Sequence, residues 1–333
     1  MGALARFVLI DDSGVRRYHS RWGADRVCAT LIGGPDAATR EIETDVLQRG
    51  PLRDWQPDTW TEGGAVVDHT ARQLIWFGDQ LMYDLPTKQV FAELLRRTWP
   101  GWNVRWAYGG VQDLIAAVDV DRDHARFHSG DGPVLPDAVI DPGPGDPSFD
   151  SGIVAFHLLT VTTRHGLRIY PLDPFTHAAW QGPALLDRLP AGGVAALELP
   201  DLPWSGVHVD AVDRSIGVWL SRPGGGLVHS LPALWPGWRI ACWEDRYQEQ
   251  IARCGEALRP PWLPGRVSVL ERVMEQLARR HRRPVVTDPL ALDRLEREPS
   301  TIRGHPAELT DSEWARVLRA AADLENELDT ADE

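Results

Sequence analysis

The chain has 333 residues, 43% of them hydrophobic and 25% charged, the composition of an ordinary soluble globular protein with length for two domains. Lys+Arg number 35 against 48 Asp+Glu, and the formal charge of −13 argues against nonspecific nucleic-acid binding, which needs a positive field, while favouring a basic partner. No apolar run approaches the roughly 20 residues that span a bilayer, and the opening MGALARFVLIDDSG lacks the long apolar stretch of a secretory signal.

In chain order, a strand pair comes first: ARFVLI (5–10) and VRRYHSRW (15–22), turned by Asp11-Asp12-Ser13-Gly14. A helix follows Gly33-Gly34-Pro35, because Pro35 suits a first helical position and Asp36 suits the positive end of the dipole. Next is a meander of GAVVD (64–68), RQLIWFG (72–78) and LMYDLP (81–86). Pro86 opens a helix whose Val90, Phe91, Leu94 and Leu95 form one apolar stripe. Trp-Pro-Gly-Trp (99–102) leads into a strand, NVRWAY (103–108), and a short helix ending near Val118.

Residues 119–152 hold eight aspartates among prolines and glycines and read as a linker. A second strand-rich stretch occupies 153–258, and helices take over in 259–333. VSVLERVMEQLARRHRR (267–283) stops before Pro284, and Thr310-Asp-Ser-Glu313 is a capping box ahead of a final helix. The terminal DTADE is expected to fray.

The two strand-rich stretches are copies of each other. Trp-Pro-Gly-Trp recurs at 235–238. In the same order, GVRRY (14–18) matches GLRIY (166–170), GGP (33–35) matches QGP (181–183), GGAVVDHTAR (63–72) matches SGVHVDAVDR (205–214), and LMYDLP (81–86) matches LVHSLP (227–232). A spacing of roughly 140 residues is too long for a solenoid and fits a duplicated domain. The expected fold is α+β: two degenerate copies (1–118 and 153–258) of a mainly antiparallel sheet with flanking helices, joined by the linker and followed by a helical C-terminal extension. The last match leaves about ten residues fewer before the second WPGW, so the helix there should be missing or a single turn.

Familiar chemistry is largely excluded. Lys88 is the only lysine and has no glycine loop before it, so a phosphate-cradling GxxxxGK[ST] motif is impossible, and its place in the first turn of a helix reads as exposed. There is no GxSxG, HExxH or GxGxxG after a strand. Cys28, Cys242 and Cys254 form neither a disulfide framework nor a zinc knuckle, which points to a reducing, cytoplasmic setting, with Cys28 a buried structural thiol. Asp119, Asp121 and Asp123 open like a calcium loop, but His124 and Gly130 stand where that loop needs glycine and glutamate. His124 and His128 are better read as linker than as metal ligands. No cofactor is called for.

Recurrent features read as scaffold: Asp68 with Arg72 and Asp210 with Arg214 at one hairpin turn, and the WPGW tryptophans in the core. The Arg279–Arg283 run offsets a helix dipole. Positions where the copies differ are the functional suspects. Tyr18-His19-Ser20-Arg21-Trp22 is matched by Tyr170-Pro171-Leu172-Asp173-Pro174, and strand alternation puts Tyr18, Ser20 and Trp22 on one face with His19 and Arg21 on the other. His208 replaces Val66, and His229 stands opposite Tyr83. Fifteen tryptophans, several in loops (Trp55, Trp60, Trp180, Trp204), suit either a binding surface or a filled core. The expected function is a non-catalytic recognition or inhibitor protein for a protein partner, with the acidic charge favouring a basic one such as a toxin that it neutralises. The alternative is an enzyme or small-molecule binder with one site between the copies, where Tyr18, His19, Arg21, Trp22 and His208 would hold an anionic or aromatic ligand.

Overall fold

A computed structural model describes residues 4–20, 23–44, 48–49, 61–121, 156–172, 177–189, 192–281 and 309–332. The chain divides into two compact units, residues 1–127 with 264–333 and residues 128–263. The linker residues 122–152, with His124 and His128, lie outside the described residues, as do Arg21, Trp22, Trp55 and Trp60.

In the first unit, β1 (Ala5–Asp11) and β2 (Gly14–Ser20) form a hairpin whose turn is held by Asp11, with Oδ1 accepting from Ser13 N at 2.8 Å. Two helices, α1 (Val27–Ile32) and α2 (Pro35–Thr44), lead past the short β3 (Gln48–Arg49) to a second hairpin, β4 (Gly63–Asp68) and β5 (Gln73–Phe77). There Asp68 Oδ1 accepts from Ala71 N at 2.8 Å, the role expected of it as a turn residue. β4 lies parallel to β1, so the sheet is mixed, although antiparallel pairs predominate. α3 (Leu85–Thr98) carries the chain across to β6 (Asn103–Trp106), parallel to β5, and α4 (Val111–Ala116) follows. The six strands run β3-β2-β1-β4-β5-β6.

The expected third meander strand is absent. LMYDLP instead makes a 3-10 turn (Gln80–Tyr83) and the start of α3, because Asp79 accepts from Leu81 N and Asp84 accepts from Thr87 N, capping two successive helical segments. The apolar stripe of α3 is buried as its period predicts.

The second unit repeats this path. β7 (His157–Thr163) and β8 (Gly166–Leu172) form the first hairpin, and β10 (Ser205–Asp210) and β11 (Ser215–Leu220) the second, after the two-residue β9 (Leu197–Glu198). α5 (Leu227–Leu234) leads to β12 (Arg239–Cys242), then α6 (Gln248–Cys254) and β13 (Leu258–Arg259). The order β8-β7-β10-β11-β12 reproduces β2-β1-β4-β5-β6, with parallel and antiparallel pairs in the same places.

The WPGW corners are alike in detail. Trp99 Nε1 donates to Leu31 O at 2.8 Å, and Trp235 Nε1 to Ala179 O at 2.7 Å. Each first tryptophan stacks edge-on with the second at 4.9 Å. Gly34 and Gly182, at φ +92° and +61°, face Thr98 O and Leu234 O, where any Cβ would collide. These corners also correct the alignment: α5 is two turns long and equivalent to the last half of α3, so Leu227 answers Phe91 and the LMYDLP–LVHSLP match is fortuitous. His229 is therefore no counterpart of Tyr83, and it is exposed.

The C-terminal extension belongs to the first unit. α7 (Arg266–His281) and α8 (Asp311–Asp332) bury Val269, Leu270, Val273, Leu277, Val317, Leu324 and Leu328 in the core of the first copy. The capping box forms, with Glu313 accepting from Thr310 N at 2.8 Å and Thr310 Oγ1 accepting from Glu313 N at 3.3 Å. The same Glu313 carboxylate receives both terminal nitrogens of Arg40 from α2, at 2.8 and 2.6 Å, and this pairing holds its pKa at about 2. α8 stays helical through Asp332, beyond the point where fraying was expected. No helix among the described residues is long and apolar enough to cross a membrane.

Candidate functional site

The suspects named by copy comparison fall in both units. Tyr18 is 2% exposed and packs in the core beside Phe7, its cross-strand partner. His19 pairs with Arg6 on the opposite face, as alternation requires. His208 belongs to the second unit.

The registers allow one sheet face to be compared strand by strand. In the first unit it carries the row Arg17, Val8, Val66, Ile75, Arg105, and beside it His19, Arg6, Gly64, Phe77. The equivalent rows in the second unit are Ile169, Thr160, His208, Gly217, Ala241 and Pro171, Leu158, Gly206, Trp219. Leu114 of α4 covers Gly64, and Gln250 of α6 covers Gly206. The polarity is inverted: the first copy is apolar at the centre and cationic toward β2, whereas the second is polar at the centre and apolar toward β8.

The polar centre of the second unit is a closed network. Gln250 Nε2 donates to Val207 O at 2.9 Å and to Thr160 Oγ1 at 3.0 Å, and Gln250 Oε1 accepts from Trp219 Nε1 at 2.7 Å. His208 Nδ1 lies 3.0 Å from Thr160 Oγ1. Burial, then the nearby Arg253, pushes the His208 pKa down to about 4, against a smaller opposing pull from Asp210, so the ring is neutral near pH 7. All four side chains are buried and hydrogen-bonded, the condition under which such a network rigidifies a core. On the other face, Ser205 Oγ lies 2.7 Å from His157 Nδ1, and the His157 ring stands 5.3 Å from His177. Ser205 is 1% exposed and His157 is half-buried, so this pair joins the ends of β7 and β10 at the margin of the core. Burial, then His157, holds the His177 pKa well below 6.5.

The first unit buries its own ion pair. Asp79, at φ +72°, accepts a hydrogen bond from Arg280 of α7, so that arginine locks the C-terminal extension to the sheet instead of only offsetting a helix dipole. Asp25, raised by burial and by Asp79, and the buried Cys28 thiol, raised chiefly by burial, lie in the same electrostatic neighbourhood. Lys88 corrects the expectation of an exposed amine. It is 1% exposed, with its ammonium 5.0 Å from the Trp106 ring and 5.1 Å from Tyr108, where cation–π attraction offsets part of its desolvation.

The described loop tryptophans that sequence pointed to, Trp180 and Trp204, are half-buried, the latter under the Arg222 guanidinium at 3.4 Å. Among the described residues the exposed tryptophan is Trp262, at 86% of its surface. Its neighbours Pro260, Pro261 and Pro264 were the available signal, since prolines fix the backbone and keep the segment out of helix or sheet. A second exposed feature is the end of α8. Asp323, Glu325 and Asp329 are exposed in its last ten residues, where the helix dipole is already negative, while Glu327 between them is paired with Arg97 of α3. Among the described residues, no group of three His, Cys, Asp or Glu side chains is arranged to hold a metal ion. Compared with known proteins, the chain matches no family model, no curated protein and no solved structure.

Proposed function

We propose that this chain is a non-catalytic recognition or inhibitor protein that binds a basic protein partner in the cytoplasm, as a neutralising protein binds a toxin. Trp262 carries the reading. Leaving 86% of an indole in water on a proline-braced segment gives the fold nothing, whereas a partner that covers it gains the burial. Covering roughly 200 Å² at about 25 cal/mol per Å² is worth up to about 5 kcal/mol, the scale of an interface hot spot. The charge of −13 and the exposed Asp323, Glu325 and Asp329 at the end of α8 supply attraction for a basic surface. Three free thiols suit a reducing compartment.

The test is co-purification from the native source with the full chain, with Trp262→Ala, and with the triple reversal D323K/E325K/D329K. The expected partner is basic, binds less tightly as salt rises, and loses at least about 30-fold in affinity with Trp262→Ala at unchanged melting temperature. An acidic partner, or full affinity in both variants, refutes the reading.

A further inference from the structure

The helix face of the second unit has shed charge without gaining a cover. In the first unit, α2 and α3 anchor the C-terminal extension at three points: Arg40 to Glu313 and Arg97 to Glu327 of α8, and Glu93 to Arg266 of α7. Counted from the matched Gly34 and Gly182, and from Trp99 and Trp235, the equivalent positions are Arg188, Ala233 and His229. All three are exposed. Arg188 follows the 3-10 segment Ala178–Asp187, which packs on α5, and Ala233 and His229 lie on α5 itself. We propose that this face binds a second copy of the chain in a twofold-symmetric dimer, at a surface separate from Trp262.

Asp36, Arg96 and Arg97 of the first unit are Ala184, Pro232 and Ala233 in the second, all three exposed, with Leu186 and Val228 half-buried beside them. A helix face left in water ordinarily carries charge, and contiguous exposed apolar surface marks an interaction site. The charges that remain select the occupant. Asp187 and Arg188 are adjacent, exposed and without an ion pair among the described residues. An isologous interface makes each contact twice, so a twofold axis beside these residues sets Asp187 of each copy against Arg188 of the other. The patch is then self-complementary and locally neutral, and salt screens the net charge carried elsewhere. A basic partner would meet Arg188 as a like charge and does not fit here.

The experiment is sedimentation velocity of the full chain over a wide range of concentration, in sodium chloride sufficient to screen the net charge. A monomer–dimer equilibrium is expected. Ala233→Arg, an exposed position whose substitution spares the core, should weaken association at least about tenfold. Arg188→Asp should weaken it as well, because four carboxylates then meet at the axis, and the reversal D187R/R188D should restore it. Trp262→Ala should dimerise like the wild type, so the outcome is read independently of the partner inferred above. A monomer at every concentration, a dimer unaffected by Ala233→Arg, or no recovery in D187R/R188D overturns the proposal.

Discussion

Acid should loosen the second unit before the first, and a single substitution should remove most of the difference. The unfolded His208 ring titrates at 6.5 and the folded one at about 4, so below pH 6.5 the unfolded state takes up a proton that the folded unit refuses. Stability is complete above 6.5 and falls as the pH drops toward 4. At about 1.4 kcal/mol per unit the full loss is about 3 kcal/mol, of which about 2 kcal/mol is gone by pH 5. His177, depressed by the same burial, adds to the loss in the same direction. In the first unit the counterpart of His208 is Val66, and the strongly perturbed carboxyl there, Glu313, gives up its contribution only between its unfolded 4.5 and its folded value of about 2. His208→Val installs the twin's residue, and Thr160 keeps Gln250 and Val207 as partners. Hydrogen exchange of the β7, β10 and β11 strands, compared with β1, β4 and β5 at pH 7 and pH 5 after correction for intrinsic rates, reads each unit separately. Wild-type β10 should lose about 2 kcal/mol or more of protection at pH 5, and His208→Val should recover about 2 kcal/mol of that. An undiminished loss in the variant, or earlier opening of the first unit, refutes the reasoning.

Removing Arg280 leaves the buried Asp79 carboxylate without its cation, and Arg280→Met should cost about 3–5 kcal/mol in urea unfolding. The double variant D79S/R280M, which imports the equivalent Ser221 of the second copy, should recover most of it; a cost under about 1 kcal/mol for the single change shows that the pair does not hold the extension. Glu313→Gln removes the charge from the α2–α8 link. Its penalty should shrink by about 2 kcal/mol between pH 7 and pH 3, because the wild-type carboxylate contributes fully above 4.5 and loses that contribution as pH falls toward 2. A pH-independent penalty would place the effect in packing instead.

The repeat was legible because its corners are local. Glycines at positive φ, Asp68 and Asp210 at one turn, and the WPGW tryptophans each solve a backbone problem that recurs wherever the path recurs. The parallel pairing of β4 with β1 was hidden because it depends on which strands become neighbours, not on any turn between them. LVHSLP misled because a short apolar match ignores that helix length must be counted back from the tryptophan that ends it. Lys88 was misjudged for a related reason: a position in the first turn of a helix does not reveal that β6 and the following Tyr108 close over it. His208 was found by comparison of copies, but Gln250 and Thr160 were not, since their partnership exists only across three separate elements.

The inverted face explains why duplication is informative here beyond fold. A core position tolerates a polar side chain only if its donors and acceptors are met, so Val8, Val66, Leu114 and Phe77 cannot become Thr160, His208, Gln250 and Trp219 one at a time without leaving a buried group unpaired. Gly206 must also stay glycine, because a side chain there would fill the space of Gln250 and Trp219. The two fillings of one backbone path are therefore alternative, internally consistent solutions, and mixed ones should be less stable than either. Replacing Gln250 alone by Leu should strand the Trp219 indole and destabilise the second unit by about 1–3 kcal/mol, whereas the complete set T160V/H208V/Q250L/W219F should be less costly than the sum of its parts. Additive penalties across that set, measured by urea unfolding, would show that the network is four independent bonds and not one unit.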